Sequence, residues 1–265
     1  MPLGGIGIVL KNKVVFITGA SSGIGALTAQ MVSSQGAIPI LAARSQQRLE
    51  ETARLIQGPH EIRLMDVTQE NEVQRTLEDI IHRYGGIDIL LNNAGYGKFE
   101  NALDMPAEEY GKMMDVNYMG TVRCTKAVLP HMLQRKRGQI INVASMAGKI
   151  GTAKSTAYTA TKHAVLGFSN SLRQELRGTG ITVSTINPGP IDTAFFEQAD
   201  PSGSYVNNVR WLMMKPEHVA RKIVRVMNTR KEEINLPVSA AAAMRLYQLF
   251  PRLSDRLTYR MMNKK

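Results

Sequence analysis

The stretch VVFITGASSGIG, residues 14–25, joins an apolar, β-branched run to a glycine-rich turn. Gly19, Gly23 and Gly25 follow the spacing G-x3-G-x-G, and an amphipathic stretch begins directly after them. Glycines at such a turn let the backbone approach a pyrophosphate, and the following helix offers that anion its free N–H groups. The stretch therefore predicts a strand, a dinucleotide-binding turn and a helix. The predicted contacts to the dinucleotide in this turn are Gly19, Ser21, Ser22, Gly23, Ile24 and Gly25.

Short apolar runs alternate with longer amphipathic runs along the rest of the chain. Strands are predicted at 14–18, 37–43, 61–65, 87–93, 139–145, 181–187 and 233–237. Helices are predicted near 24–35, 46–57, 69–84, 107–136, 156–178 and 216–229. Several of the strands are apolar almost throughout, as in parallel sheets that are covered by helices on both faces. The pattern predicts an α/β fold with a doubly wound parallel sheet, forming one domain over residues 1–238.

The composition of the 265-residue chain fits a globular protein and excludes several other classes. No apolar run reaches the ~18 residues of a membrane-spanning helix. The short apolar stretch near the N-terminus lacks the basic region of a secretory signal. The single cysteine, Cys124, excludes an internal disulfide, fits a reducing cytosol and is read as a small buried hydrophobe. No cluster of Cys and His indicates zinc or another metal, and we expect a cytoplasmic protein.

The end of the second predicted strand carries a cation where an NAD site would carry an acid. Dinucleotide sites that take NAD place Asp or Glu about 20 residues after the glycines, to bind the ribose 2′-hydroxyl. Residues 41–46 contain no acid, whereas Arg44 can pair with a 2′-phosphate. A solvated arginine at a helix start is the alternative. We predict NADP(H) as the cofactor.

Two further strand ends are expected at the same edge of the sheet. Asp66 and Val67 follow the third strand, where the adenine edge would lie. Asn93, Ala94 and Gly95 follow the fourth strand as a backbone turn. Ligands of open α/β sheets bind at the carboxyl ends of the strands. We predict that these five residues contact the cofactor.

The stretch STAYTATKHAV, residues 155–165, places Tyr158 and Lys162 on one helix face among small residues. A free tyrosine titrates near pH 10, so proton exchange near neutrality requires lowering its pKa by about 3, or about 4 kcal/mol. A lysine ammonium ~5 Å away supplies about 3 kcal/mol at an effective dielectric constant of about 20. Small neighbours would let cofactor and substrate approach both groups. The pair indicates general acid–base chemistry, although a packed tyrosine beside a solvated lysine is the common reading of this spacing alone.

Ser145 and Asn117 supply polar groups for the same predicted edge. Ser145 ends the fifth strand, thirteen residues before Tyr158, so its hydroxyl can polarise a carbonyl there. Asn117 falls inside a predicted helix, where asparagine is unfavourable, and a water chain to Lys162 would satisfy it. A serine hydrolase is excluded because Ser145, in NVASMAG, lacks the glycines of a nucleophile elbow and no histidine motif accompanies it.

Taken together, these motifs closely resemble the short-chain dehydrogenase/reductase superfamily, over about residues 12–238. The resemblance rests on Gly19, Gly23, Gly25, the NNAG turn at 92–95, Asn117, Ser145, Tyr158, Lys162, Pro188 and Gly189. It implies a Rossmann-type sheet ordered 3-2-1-4-5-6-7, a nicotinamide cofactor and hydride transfer between that cofactor and a carbonyl or alcohol. It also implies a homodimer or homotetramer.

The same resemblance assigns roles to individual residues. Tyr158 would be the general acid–base, and Ser145 would hold the substrate oxygen. Lys162 would lower the pKa of Tyr158 and bind the nicotinamide ribose, and Asn117 would hold a relay water. Thr193, in PGPIDT, matches the residue that binds the nicotinamide carboxamide. The cofactor contacts that the resemblance implies in this part of the chain are Tyr158, Lys162, Pro188, Gly189, Ile191 and Thr193.

The substrate is less clearly indicated. Residues 189–215 form a long connection rich in apolar side chains, typical of a substrate loop. The predicted substrate contacts are Ser145, Tyr158, Tyr96, Met146 and Phe195. They favour a lipophilic ketone or aldehyde, although several of these side chains could belong to the core. The alternatives are a 3-oxoacyl-thioester reductase working with an acyl carrier protein, and a dinucleotide-sensing interaction protein without enzymatic activity.

The C-terminal part of the chain is strongly basic. Residues 210–265 contain 13 Lys and Arg against 4 Asp and Glu, which is +9 of the net charge of +11. Within the predicted extension, 239–265, apolar residues fall near helical spacing: Leu246, Leu249, Phe250, Leu253, Leu257 and Met261. Arginines form a stripe beside them at Arg245, Arg252, Arg256 and Arg260. This basic amphipathic segment, 240–265, could contact anionic lipid, a neighbouring subunit or the substrate mouth, or an acidic protein. No nucleic-acid-binding motif is present, so no nucleic-acid partner is expected.

Overall fold

A single seven-stranded parallel sheet forms the centre of the protein, in a computed structural model that describes residues 10–200, 203–239, 247 and 249. The strands are β1 (Val14–Thr18), β2 (Ile38–Ala43), β3 (Glu61–Leu64), β4 (Ile89–Asn92), β5 (Gly138–Val143), β6 (Ile181–Pro188) and β7 (Glu233–Leu236). Their order in the sheet is 3-2-1-4-5-6-7, as the family resemblance implied. The predicted doubly wound α/β fold is confirmed.

Helices alternate with these strands. They are α1 (Gly23–Ser33), α2 (Gln46–Ala53), α3 (Glu70–Tyr84), α4 (Ala107–Met114), α5 (Gly120–Arg135), α6 (Thr156–Glu175), α7 (Phe195–Ala199), α8 (Ser204–Val209) and α9 (Pro216–Thr229). Short 3-10 turns lie at Met146–Gly148 and Arg210–Leu212. Each long helix connects two parallel strands and packs on the sheet, which is why the chain order follows the strand–helix alternation of the sequence.

The core lies on both faces of the sheet. On one face, Val15 and Leu41 pack with Ile223 of α9. On the other face, Phe16 and Leu90 pack with residues of α3, α5 and α6, and Cys124 is fully buried among them, as predicted. Burial raises the pKa of the Cys124 thiol to about 12, so this cysteine is an inert core residue.

β1 is the strand at which the winding direction reverses. Its residue Phe16 is opposite Ile40 of β2 on one side and Leu90 of β4 on the other. The connections after β1 and β4 therefore leave toward opposite faces of the sheet and open a crevice between them. This crevice places the glycine-rich turn beside the NNAG turn.

Two predicted elements differ from the structure. The single helix expected over 107–136 is interrupted by a π-helical turn at Asp115–Met119, which separates α4 from α5. The connection 189–215 contains the short helices α7 and α8 rather than irregular chain alone. In both cases local periodicity was a poor guide, because the contacts that fix these segments come from distant parts of the chain. The predicted C-terminal extension, 239–265, lies outside the described residues except for Ser239, Tyr247 and Leu249.

Candidate active site

The glycine-rich turn after β1 is shaped by close contacts that a side chain would prevent. Gly19 and Gly23 have φ angles of +64° and +54°, in the left-handed region that favours glycine. A Cβ on Gly25 would lie 2.4 Å from the carbonyl oxygen of Gly19. Helix α1 begins at Gly23, so its free N–H groups stand at the cleft wall. This cradle fits the pyrophosphate of a dinucleotide.

The NNAG turn holds the glycine-rich turn in place. The Thr18 hydroxyl accepts hydrogen bonds from the backbone N–H groups of Asn93 and Ala94, both at 2.9 Å. In return, the Asn93 amide donates to the carbonyl oxygens of Thr18 and Gly19, at 3.0 and 3.1 Å. These bonds join the carboxyl ends of β1 and β4. Asn93 thus contributes to the cofactor site by positioning the first turn as well as by lining the cleft.

Two arginines stand at the adenosine end of the cleft. Arg44 follows β2, and Arg48 lies four residues later on α2; both are exposed and line the cleft together with Ser45. In the part of the chain that the structure describes, neither guanidinium group pairs with a carboxylate. Asp66, after β3, is already engaged, since it accepts bonds from the backbone N–H and the hydroxyl of Thr68, both at 2.9 Å. This end of the cleft therefore carries free positive charge.

Ser145, Tyr158 and Lys162 meet at the middle of the cleft. Ser145 follows β5 and lines the cleft together with Tyr158 and Lys162, and its hydroxyl donates to the Pro188 carbonyl oxygen at 3.3 Å. Lys162 lies one turn along α6 from Tyr158, with its Nζ 5.6 Å from the centre of the tyrosine ring. The same Nζ donates to the carbonyl oxygen of Val143 at 2.9 Å. The grouping predicted from spacing is present.

The pKa values of the Tyr158 phenol and the Lys162 ammonium group are shifted mainly by burial. Burial raises the pKa of the Tyr158 phenol above its ordinary value, and the polar side chain of Ser145 partly offsets this rise in pKa. Burial lowers the pKa of the Lys162 ammonium to about 8. The lowering of the Tyr158 pKa by Lys162, expected from the sequence, is not among the effects on the phenol. Desolvation of the phenolate is the stronger effect in this cleft.

Asn117 lies in the π-helical turn and is fully buried. Its side-chain amide donates to the carbonyl oxygen of Tyr96 at 2.8 Å and to the Thr161 hydroxyl at 3.0 Å, and its oxygen accepts from the Tyr96 N–H at 2.9 Å. Asn117 and Lys162 flank Gly95: a Cβ there would lie 2.9 Å from the asparagine Oδ1 and 3.7 Å from the lysine Nζ. The partners expected for a buried asparagine are thus protein groups, and the relay water remains a prediction.

The segment after β6 forms the opposite wall of the cleft. The Gly189 N–H donates to the Leu236 carbonyl at 2.7 Å, and Ile191 pairs with Met214. These contacts anchor both ends of the 189–215 segment. Thr193 faces the glycine-rich turn, because a Cβ on Gly23 would lie 3.7 Å from the Thr193 methyl group. Thr193 therefore lies opposite the glycine-rich turn, and the contact with the nicotinamide carboxamide that the resemblance implies stays a prediction.

Aromatic rings surround Tyr158 at the other end of the cleft. The ring centres of Phe99 and Phe195 are each 5.7 Å from that of Tyr158. Phe99 also stacks on Tyr205 at 4.3 Å, and Phe196 lies 6.0 Å from Phe99. Edge-to-face and offset-stacked pairs of this kind are favourable beyond the area that they bury. These rings form the apolar wall expected for the substrate end, and they come from two separate parts of the chain.

These groups surround one continuous cleft along the carboxyl ends of the strands, with a volume of about 500 Å³. Every predicted site residue lines it except Gly25 and Asn117, which pack behind the lining. Among the described residues, the charged side chains in the lining are Arg44, Arg48, Asp66 and Lys162. The aromatic end of the cleft therefore carries no charge beyond that of Lys162.

The family model of the short chain dehydrogenases matches residues 13–202. The chain belongs to the short-chain dehydrogenase family. The uncharacterized oxidoreductase YxnA of Bacillus subtilis is 36% identical over 263 residues, covering 96% of this chain and 73% of the relative. An uncharacterized oxidoreductase of Staphylococcus epidermidis is 36% identical over 79% of this chain and 94% of its own.

Solved structures agree with this assignment. A short-chain dehydrogenase/reductase of Burkholderia phymatum in complex with NAD has a TM-score of 0.83 and 25% identity, covering 92% of this chain and 95% of its own. The closed form of a serine dehydrogenase with NADP+ has a TM-score of 0.76 and 33% identity, covering 81% and 88%. This short-chain dehydrogenase is accordingly an oxidoreductase whose fold carries a nicotinamide dinucleotide site.

Several lining residues of this short-chain dehydrogenase were missed from its sequence. Arg48 carries a signal in retrospect, since it lies four residues after Arg44 on a helix start. Thr152, Gln198 and Pro237 also line the cleft but have no local pattern that marks them. They reach the cleft only because loops from different strands meet at one edge.

No helix among the described residues is long and apolar enough to cross a membrane. No group of three or more His, Cys, Asp or Glu side chains among them could hold a metal ion.

Proposed function

We propose that this short-chain dehydrogenase is an NADP(H)-dependent reductase of a lipophilic ketone or aldehyde. One observation carries the proposal: Ser145, Tyr158 and Lys162 meet in a cleft that has free arginines at one end and aromatic rings at the other. The first end suits a phosphorylated dinucleotide, and the second suits an uncharged apolar substrate.

The chain's own residues would manage the proton. NADP(H) supplies or accepts the hydride when it is bound. The raised pKa keeps the Tyr158 phenol protonated near neutral pH, so it is ready to give its proton to the substrate oxygen. Ser145 would donate a hydrogen bond to the same oxygen. Lys162, with a pKa of about 8, is mostly charged at pH 7 and would stabilise the phenolate that remains.

The uncharged aromatic end argues against a substrate with a free carboxylate. A carboxylate in such a site needs a cation to offset its desolvation, and Lys162 already donates to Val143. The solved serine dehydrogenase acts on an amino acid, as its name states, whereas Phe99, Phe195 and Phe196 occupy the substrate end of this cleft. A neutral apolar carbonyl compound fits these walls best.

The preference for NADP(H) rests on Arg44 and Arg48. An arginine pairs with a phosphate dianion through two charge-assisted hydrogen bonds, and the described cleft has no acid at this end to bind a ribose 2′-hydroxyl in the usual way apart from the engaged Asp66. Solved relatives are found with either dinucleotide, so the support for NADP(H) comes from the two arginines.

The proposal is tested by following NADPH consumption against a panel of carbonyl compounds. The panel contains steroid and retinoid carbonyls, a small aromatic ketone, a sugar and 3-oxoacyl thioesters. We expect turnover of the lipophilic carbonyls and a loss of at least roughly 100-fold in kcat for Tyr158→Phe, which should still bind NADPH. Tyr84→Phe is the control, because that hydroxyl binds Glu61 outside the cleft lining and its loss should leave kcat unchanged.

Other results of these measurements would change the proposed substrate, the proposed activity or the proposed cofactor. Turnover confined to 3-oxoacyl thioesters would replace the proposed substrate with the carrier-protein alternative. Tight dinucleotide binding without turnover of any carbonyl would favour a sensing protein. A Kd ratio that does not favour NADPH over NADH, or one that Arg44→Gln leaves unchanged, would refute the cofactor assignment.

A further inference from the structure

The turn that carries Ser145 ends at an ion pair outside the cleft. This serine turn, residues 145–149, runs from Ser145 to Lys149. The ammonium group of Lys149 donates to the carboxylate of Glu233, the first residue of β7. The lysine side chain is 15% exposed and the glutamate side chain 35%, so water screens this pair less than a pair on the open surface. Neither residue is among the described residues that line the cleft.

The carboxylate of Glu233 is also connected to the end of β6. The Asn235 side-chain amide donates to Glu233 at 2.9 Å, and the Asn187 amide donates to the Asn235 side-chain oxygen, also at 2.9 Å. Asn187 is fully buried and directly precedes Pro188. The Pro188 carbonyl oxygen is the acceptor for the Ser145 hydroxyl at 3.3 Å. The two ends of the serine turn are therefore tied to one polar network on β6 and β7.

The groups around Glu233 favour its ionised form. Burial raises the pKa of the Glu233 carboxyl, but the bonds from Lys149 and Asn235 and the positive charges of Lys149 and Arg173 lower the pKa by more. The pKa therefore lies below its ordinary value, and Glu233 is a carboxylate at neutral pH. The contact with Lys149 is thus a charge-assisted hydrogen bond, which is stronger than a bond between neutral groups.

The direction of the Ser145 hydroxyl depends on the path of the serine turn. The hydroxyl oxygen accepts from the Ala147 N–H at 3.0 Å, so it follows the backbone of the turn. Gly148 packs on α6, since a Cβ there would lie 2.7 Å from the Lys162 carbonyl oxygen. The turn is therefore held by α6 on one side and by Glu233 on the other. Loss of the ion pair would release its second support.

We propose that the ion pair between Lys149 and Glu233 positions Ser145 for the reaction. Both are positioning residues, because they act through the serine turn and do not line the cleft. The inference rests on the proposed carbonyl reduction, in which the Ser145 hydroxyl donates to the substrate oxygen. Such a bond contributes most when negative charge develops on that oxygen, so a displaced serine lowers kcat more than it raises the KM.

The test compares Lys149→Met with a matched control in the full-length protein. Lys149→Met removes the charge and keeps a side chain of similar length. For the carbonyl compound that wild type reduces best, we expect kcat to fall about five- to tenfold, with the KM and the Kd for NADPH within about threefold. Lys13→Met is the control: it removes an ion pair with Asp88, at 3.3 Å and outside the cleft lining, and should leave kcat within about twofold.

Two further variants separate positioning from a general loss of folded protein. Lys149→Arg keeps the positive charge and should hold kcat within about threefold of wild type. The double variant of Lys149→Met with Glu233→Gln should be no worse than Lys149→Met alone, since both changes remove the same ion pair. An equal fall of kcat in Lys149→Arg and Lys149→Met, or losses that add in the double variant, would overturn the proposal.

Amide hydrogen exchange tests the same inference without any substrate. Exchange in residues 146–150 should be at least about threefold faster in Lys149→Met than in wild type, and unchanged in Lys13→Met. If wild type reduces no carbonyl compound but exchange responds in this way, the proposed reaction fails and the anchoring of the serine turn stands. If exchange is unchanged, the role of Lys149 is refuted whatever the enzyme reduces.

Discussion

The ammonium group of Lys162 is buried beside an aromatic ring and a carbonyl oxygen, with 6% of the residue exposed. Among the described residues, no carboxylate forms an ion pair with it. A charge removed from water in this way favours its neutral form, which explains the pKa of about 8 against an ordinary 10.5. Lys162, to which we assign a role in the proposed reaction, therefore lowers the stability of the fold at neutral pH.

The sign of this effect follows from proton binding. Between pH 8 and 10.5 the unfolded chain holds a proton on Lys162 that the folded chain has released. Stability from this group therefore rises with pH through that window, and below about pH 8 the full cost, about 3 kcal/mol, is present. We expect Lys162→Met to raise the free energy of unfolding at pH 7 by about 1–2 kcal/mol, because the bond to Val143 is lost while the buried charge is removed.

Urea unfolding from pH 7 to pH 10.5 measures this prediction. The gain from Lys162→Met should shrink as the pH rises through the window, and turnover should fall sharply. Lys126→Met, on an exposed position of α5, is the control and should change the free energy of unfolding by less than about 0.5 kcal/mol. A variant no more stable than wild type at pH 7 would show that the ammonium group is better compensated than its contacts indicate.

At the level of residues, the sequence predicted the groups that share a local spacing. Tyr158 and Lys162 are four apart on one helix, so their common face follows from helix geometry. The stack of Tyr205 on Phe99 could not be predicted in the same way, because it joins residues 106 positions apart in the chain. The predicted shift of the Tyr158 pKa was wrong in direction: a lowering was expected, whereas burial raises the pKa. Residue spacing gives the distance to a neighbouring charge but not how deeply the phenol is buried.

The turn between β1 and α1 packs closely against the turn after β4. A Cβ on Gly25 would lie 2.4 Å from the Gly19 carbonyl oxygen and 2.6 Å from the Asn93 amide nitrogen. The first of these is backbone and cannot turn aside, so the whole turn would have to shift. Because Asn93 ties this turn to β4, the shift would reach both sides of the cofactor site.

We expect Gly25→Ala to destabilise the protein by about 1–3 kcal/mol and to weaken NADPH binding at least about tenfold. Gly167→Ala is the matched control: it lies on an exposed position of α6 with open space around it, so alanine should be neutral or stabilising. Thermal unfolding and fluorescence titration with NADPH measure the two effects. Unweakened binding in a folded Gly25→Ala protein would show that the close approach of α1 is unnecessary for the cofactor.

Elements with a clear period were predicted well, and those fixed by tertiary contacts were not. All seven strands were found because short runs with apolar and β-branched residues alternate with longer amphipathic ones along the chain. The π-helical turn at Asp115–Met119 was missed, since helical periodicity continues through it and only the unfavourable Asn117 gave a signal. Helices α7 and α8 were missed because their residues pack through Phe99 and Asp200 rather than through a repeating face.

The residues that line the cleft come from both halves of the chain. The glycine-rich turn follows the first strand, the proposed acid–base residues lie on the sixth helix, and the far wall is formed by the segment after β6. This separation is a consequence of the sheet order, in which β1 and β4 are neighbours although 70 residues separate their ends. The family resemblance gave that order from the sequence, whereas alternation alone gave only a parallel sheet.

The positive charge of the chain is concentrated in its C-terminal part. Residues 210–265 carry 13 Lys and Arg against 4 Asp and Glu. In the described part of this region, large apolar side chains are exposed at Trp211 and Val238, by 73% and 72%. Exposed apolar side chains next to basic ones are typical of proteins that contact anionic lipid, and a lipophilic substrate would be concentrated there.

We expect the full-length protein to sediment with vesicles that contain phosphatidylserine and to stay in solution with neutral phosphatidylcholine vesicles. Each arginine near an anionic surface contributes about 1 kcal/mol, so replacing Arg245, Arg252, Arg256 and Arg260 with glutamine should lower the partition coefficient by up to about a thousandfold. Raising the salt concentration should act in the same direction, because it screens these charges. Arg75→Gln and Arg177→Gln, outside the basic region, are the control and should leave sedimentation unchanged. Equal sedimentation of wild type and the fourfold variant would assign the stripe to contacts between subunits or to an acidic protein instead.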